Sequence, residues 1–175
     1  PVMDPGDLSG MVIRVPKNEV MIETYQAWGI NPSPLAWSET FTALQQKVVD
    51  GQDNPFITVA AMKFDEVQKY ITPIRYLFSL EPLVISEEVF QHQTPAMQDA
   101  ILAAGREATT HSYDYLQRTE REVRQQLQAK GMEIVEPAGG EEAWAKVAME
   151  RVWPRFYDMV GGKEKIDATQ RALGR

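Results

Sequence analysis

Apolar positions along the chain come in short bursts and one very long periodic stretch. The first burst, residues 11–15, is β-branched, bounded by Gly10 and Pro16, and predicts a strand. Between 18 and 28, Val20, Met21, Tyr25 and Trp28 fall on one helical face that Gly29 stops. Asn31-Pro-Ser-Pro34 predicts a loop. Ser38 is placed to cap a helix running to about residue 49, with Glu39 in the first turn where the helix dipole favours it. Gln52-Asp-Asn-Pro55 reads as a turn, 56–70 as one or two short helices, and 71–85, interrupted by Pro73 and Pro82, as two strands or extended segments.

Ser86 opens a short helix. Thr94 followed by Pro95 is a strong helix start, and only Gly105 interrupts the pattern before Gly131. A helix over 94–130 is roughly 54 Å long at 1.5 Å per residue, which exceeds what a domain of this size supports and calls for a second body beside it. A strand over 132–136, a loop at 137–140, a helix over 141–160 carrying Trp144, Trp153 and Phe156, and a last helix from Gly162 to about residue 173 complete the chain. Short strands alternating with a surplus of helix fit a three-layer α/β lobe, with too few strands for a complete doubly wound fold.

Composition narrows the chemistry. The 175 residues are 43% hydrophobic and 25% charged, the balance of a globular chain with a core of its own. A net charge of −7 disfavours nucleic acid and anionic lipid as partners. No cysteine is present, so disulfides, thiolate catalysis and cysteine metal sites are absent together. His92 and His111 stand nineteen apart, which fits no local metal motif, and no phosphate loop or nucleophile elbow occurs. The reading is therefore no enzyme, no cofactor, no metal and no catalytic residue. No apolar run is long enough to insert in a membrane. A chain opening on Pro1 is expected to be processed, trimmed or cut from something longer.

Three residues are candidates for ligand binding. Arg14 lies inside the first strand: alternation alone would put it on the solvent face, whereas a strand-borne guanidinium aimed at an anion offers a rigid fork for a carboxylate. Trp37 is a core anchor or the flat wall of a pocket. Asn54 is a turn residue or an amide that both donates to and accepts from a ligand.

Taken in order, four blocks make a signature: Asp7-Leu-Ser-Gly-Met-Val-Ile-Arg-Val-Pro16, Gly29-Ile-Asn-Pro-Ser-Pro-Leu-Ala-Trp-Ser-Glu39, Ala43-Leu-Gln-Gln-Lys-Val-Val-Asp-Gly-Gln-Asp-Asn-Pro55 and Lys63-Phe-Asp-Glu-Val-Gln-Lys-Tyr70. They resemble the extracytoplasmic solute receptors of tripartite ATP-independent periplasmic (TRAP) transporters, of the dicarboxylate-binding type, over the C-terminal portion of such a receptor. The resemblance implies a periplasmic-binding-protein-like, flytrap α/β fold, here incomplete. Residues 1–93 would form mainly one ligand-binding lobe with hinge strands, 94–130 a helix bracing both lobes, and 131–175 a C-terminal strand and helices, with the N-terminal lobe largely missing. It also implies a small organic-acid ligand, a TRAP membrane permease as partner and a periplasmic location with a signal peptide upstream. Arg14 matches the family's carboxylate-pairing arginine, Asn54 its ligand-contacting asparagine and Trp37 a pocket-lining aromatic. Lys17 stands where some members place a small or polar contact. A helical interaction protein using the same fold, and more distantly an organic-acid enzyme, are the competing classes.

Overall fold

In the strand Ile13–Val15 (β1), alternation sends Ile13 and Val15 to one face and Arg14 to the other. The architecture is taken from a computed structural model that describes residues 1–77, 81–172 and 174. On the apolar side, Ile13 and Val15 join Leu8, Tyr25, Trp28, Ile30 and Trp144 in one buried cluster. After β1, the Asn18 carboxamide accepts a hydrogen bond from the Met21 N–H at 3.0 Å and starts α1, Glu19–Ala27. Gly29 ends it with φ +96°, a conformation that side chains resist.

The chain then forms β2, Ser33–Pro34, beside β1, with Arg14 opposite Ser33. A 3-10 turn, Trp37–Glu39, leads into α2, Thr40–Gln45, and β3, Gly51–Gln52, lies on the other side of β1 with Gln52 opposite Arg14. All three strands are parallel in the order β2-β1-β3. The chain thus leaves β1 to one side and later crosses to the other, which makes the carboxyl end of β1 a topological switch point.

Beyond β3, α3 (Phe56–Ala61) and a 3-10 turn at Phe64–Glu66 place Phe56, Val59 and Phe64 in a second buried cluster with Ala43, Leu44 and Val49 of the α2 region. Strand β4, Tyr70–Ile71, leaves this region, and α4, Glu87–Gln91, begins where the Ser86 hydroxyl caps it. Helix α5, Pro95–Ala129, runs the length its start and stop signals predict. Thr94 Oγ1 accepts from the Met97 N–H at 3.3 Å, and Gly131 with φ +94° follows the last turn. Of its 35 residues only Val123 and Leu127 are buried, both in the second cluster. Its first two thirds stand outside either core, with Met97, Leu102 and Tyr113 at least half exposed. Strand β5, Glu133–Ile134, pairs in parallel with β4 and ties the end of α5 back to the body. Helices α6 (Gly140–Arg151), α7 (Trp153–Phe156) and α8 (Lys163–Ala172) close the chain. Trp144 of α6 enters the first cluster, where its carbonyl accepts from Trp28 Nε1 at 3.1 Å.

Tyr25 and Trp28 at the end of α1 and Trp144 of α6 cover the Ile13 and Val15 face of the small sheet, and the chain after β2 covers the other. Several boundaries differ from the expectation. The helix over 38–49 is a 3-10 turn followed by a six-residue helix, and it is the Glu39 carboxylate, not Ser38, that satisfies the Ala36 N–H, at 3.1 Å. The helix over 141–160 breaks at Val152 because Pro154 has no N–H to give and its ring crowds the preceding turn. Between 71 and 85 only Ile71, the end of β4, is in a strand among the described residues; 78–80 lie outside them, as does Leu173 at the expected end of the last helix.

Candidate functional site

Arg14 is the one charged residue in the core of the described structure, 4% exposed at the centre of the sheet. The face that alternation gives it is not solvent: the chain leaving β2 covers it. Its Nε and Nη2 both donate to the Leu35 carbonyl, at 3.2 and 2.9 Å, which fixes the plane of the guanidinium. The Trp37 ring lies over that plane, 5.5 Å from guanidinium carbon to ring centroid. The edge of Trp37 meets Phe64 at 5.9 Å, while 42% of the residue stays exposed. Trp37 is thus only partly packed into the core.

No carboxylate reaches Arg14 within salt-bridge distance among the described residues. Buried charges are ordinarily paired, so this one is unusual. Nη1 has no partner among the described residues, and that edge of the fork is free for an incoming anion. Burial lowers the Arg14 pKa, and the field of Asp53 works against that shift.

Asn54 sits just past the carboxyl end of β3, two residues beyond the partner of Arg14. Its Nδ2 donates to Gln52 Oε1, and Gln52 Nε2 donates to Gln68 Oε1 at 3.2 Å, so a line of amides borders the site. Arg14 lies in the central strand, and Trp37 and Asn54 follow the ends of the strands on either side of it, near the switch point where open α/β sheets hold their ligands. Lys17, also beyond β1, is exposed.

Asp53, between Gln52 and Asn54, has an enclosed carboxylate that the sequence reading did not single out. Tyr76 donates its hydroxyl to Asp53 Oδ2, while Asp53 Oδ1 is buried without a hydrogen-bond partner. Tyr25 of α1 faces the same carboxylate and meets Tyr76 edge-on at 5.9 Å. Burial pushes the Asp53 carboxyl above its ordinary range; the Tyr76 hydroxyl and the Arg14 charge pull it partway back. Both tyrosines are pushed well up, chiefly by burial. The available signal was an acid inside the third sequence block, which in a turn reads as solvated.

Two surface depressions lie elsewhere. Depressions of about 310 Å³, beside Asp65, Lys69 and Lys130, and about 570 Å³, beside Gln45, Lys47 and Asp50, do not include Arg14. Both are open to solvent, and neither is lined by a buried cation left without a partner. His92 and His111 are exposed, the latter stacked on Tyr115. Among the described residues no group of three His, Asp or Glu side chains is arranged to hold a metal, and no helix is long and apolar enough to cross a membrane.

A family model described as bacterial extracellular solute-binding protein, family 7 (DctP), matches residues 1–159. A solute-binding protein of Verminephrobacter eiseniae is 36% identical over 135 residues, 77% of this chain and 40% of that protein. The chain is similar to a solved TRAP periplasmic solute-binding protein of Roseobacter denitrificans with bound L-galactonate, at 31% identity and a TM-score of 0.80, covering 100% of this chain and 56% of that one. A second, from a Polaromonas species bound to D-erythronate, is 30% identical with a TM-score of 0.82, covering 97% and 55%. The chain spans about half the length of the relatives it matches.

Proposed function

The chain belongs to family 7 of the bacterial extracellular solute-binding proteins, and from that premise we propose that it is the Arg14-bearing part of a periplasmic TRAP receptor for an organic acid. Arg14 holds the acid's carboxylate through its free edge. Asn54 and the neighbouring amides meet further polar groups, and Trp37 covers one side. The carrying observation is the buried guanidinium, fixed in plane by the Leu35 carbonyl and left without an acidic partner among the described residues. An anion is what such a group lacks.

The relatives' bound acids, L-galactonate and D-erythronate, are hydroxylated monocarboxylates. They support a class wider than the dicarboxylate type that the ordered blocks imply. One fork for a carboxylate beside a row of amides for hydroxyls suits that class. The receptor then hands its acid to a TRAP membrane permease, and a lobe outside this chain closes over the site. The same lobe would support the part of α5 that stands clear of both cores. The interaction-protein reading uses that exposed helix too, but it gives the unpaired Arg14 no task.

Titration calorimetry with L-galactonate and D-erythronate tests the proposal. Arg14→Ala is expected to lose about 2 kcal/mol or more, roughly 30-fold in affinity, because the ligand's charge is left without its partner. Arg14→Lys should fail as well, since an ammonium cannot form the two-pronged contact. An Arg14→Ala protein that binds either acid as tightly as the parent removes Arg14 from the site.

A further inference from the structure

We propose that docking of an acid's carboxylate on Arg14 is coupled to uptake of one proton from solvent, and that Asp53 is where the proton goes. The inference rests on the carboxylate reading of Arg14 given above.

Asp53 and an incoming carboxylate would share the field of one cation, Arg14. Gln52 lies directly across the sheet from Arg14, and Asp53 is the next residue. Asp53 feels the Arg14 charge, yet no salt bridge forms between them. It is therefore close enough to be stabilised by the guanidinium and too far to neutralise it. Its other neighbours are weak supports for a negative charge. From α1 comes Tyr25 and from the segment after β4 comes Tyr76, both neutral phenols; with Arg14 of β1 these are the titratable groups that act on it. Only Oδ2 receives a hydrogen bond by strict geometry, and Oδ1 is buried with none. An ionised carboxylate would want both oxygens satisfied; a carboxylic acid needs less.

In the unliganded site, the Arg14 charge lowers the Asp53 pKa. A ligand carboxylate that occupies the free edge of the fork takes over that cation and adds a like charge nearby. Both changes favour the protonated form of Asp53. The added proton resides on the Asp53 carboxyl, comes from solvent, and leaves again when the acid does. The affinity for the acid therefore falls as pH rises through the interval between the free and liganded midpoints of Asp53, by up to tenfold per pH unit. Asp53 is a positioning residue in this scheme: it touches Tyr76, and it tunes Arg14 without meeting the ligand.

The test is an NMR titration of the chain labelled at the aspartate carboxyl carbons and the arginine guanidinium groups, with and without L-galactonate, beside Arg14→Ala. The expected result is an Asp53 midpoint that rises by about one unit or more on adding L-galactonate. In Arg14→Ala without acid the midpoint should already be raised, and L-galactonate should move it no further. Calorimetry in phosphate and in Tris at one pH should show proton uptake, which Asp53→Asn abolishes. If the Arg14 resonances respond to L-galactonate while the Asp53 midpoint stays put, the proton proposal is overturned and the acid-binding reading stands. If no resonance at the site responds, both fall together.

Discussion

At Trp37 two contacts share one ring. The edge leans on Phe64 and the face takes the Arg14 guanidinium. A half-exposed ring contributes little to the core, so Trp37→Ala is expected to weaken acid binding by about 0.5–2 kcal/mol with little change in urea stability. Phe64→Ala should do the reverse: Phe64 is 0% exposed, and its loss costs about 3–5 kcal/mol of stability. A pair of urea melts and titrations separates the two, and equal losses of stability would place Trp37 in the core after all. Asp53 makes a pH prediction of its own. Its folded pKa is raised, so between the unfolded value and the folded one the native state holds more protons, and stability declines as pH rises through that interval. Asp53→Asn should flatten that decline in melts from pH 4 to 8, and an unchanged slope would mean Asp53 is not the group responsible. Arg14 was legible as a candidate because a guanidinium inside an apolar burst is conspicuous. Its burial was not, since it depends on Leu35 and Trp37 arriving twenty residues later. Asp53 was hidden for a related reason: its partner Tyr76 stands twenty-three positions away.

Among the elements, α5 could be read end to end. Thr94, Pro95 and Gly131 act on their own turns, so their effect needs no knowledge of the fold. The segment 71–85 could not be read that way. A strand exists only where another strand offers its backbone, and β5, more than sixty residues on, offers it at Tyr70 and Ile71. Pro154 was overlooked as a helix breaker within an otherwise continuous apolar pattern. The burial of α5 is one-sided along its length, and this sets its stability profile. Amide exchange should be slow around Val123 and Leu127 and faster toward Thr94, because only the last turns are held by the second cluster. Uniform protection along the helix in the isolated chain would show that something else supports its first two thirds. Leu127→Ala, at a fully buried position, is expected to cost about 2–5 kcal/mol, read from the urea midpoint.

For the whole molecule, the central strand gives Ile13 and Val15 to one buried cluster, while its Arg14 meets Trp37, whose ring packs on Phe64 of the other. Composition gave only a globular chain; the α/β class came from the order of the elements, and the flytrap architecture from the resemblance of the four blocks. Any ligand that binds only the folded chain must stabilise it. At a hundred times its dissociation constant, an acid should raise the melting temperature by about 5–10 °C. A panel of acids that leaves the melting temperature of the folded chain unmoved would count against a receptor. Helix α5 has a mechanical consequence here. Roughly 28 of its residues, about 40 Å at 1.5 Å each, extend past the anchor at Val123 and Leu127. A tilt of about 5° at that anchor sweeps the far tip through about 4 Å, so a slight repacking of two side chains becomes a displacement wider than an atom at the other end. The helix acts as a pointer, and the tightness of its grip on Leu127 sets how steadily it points.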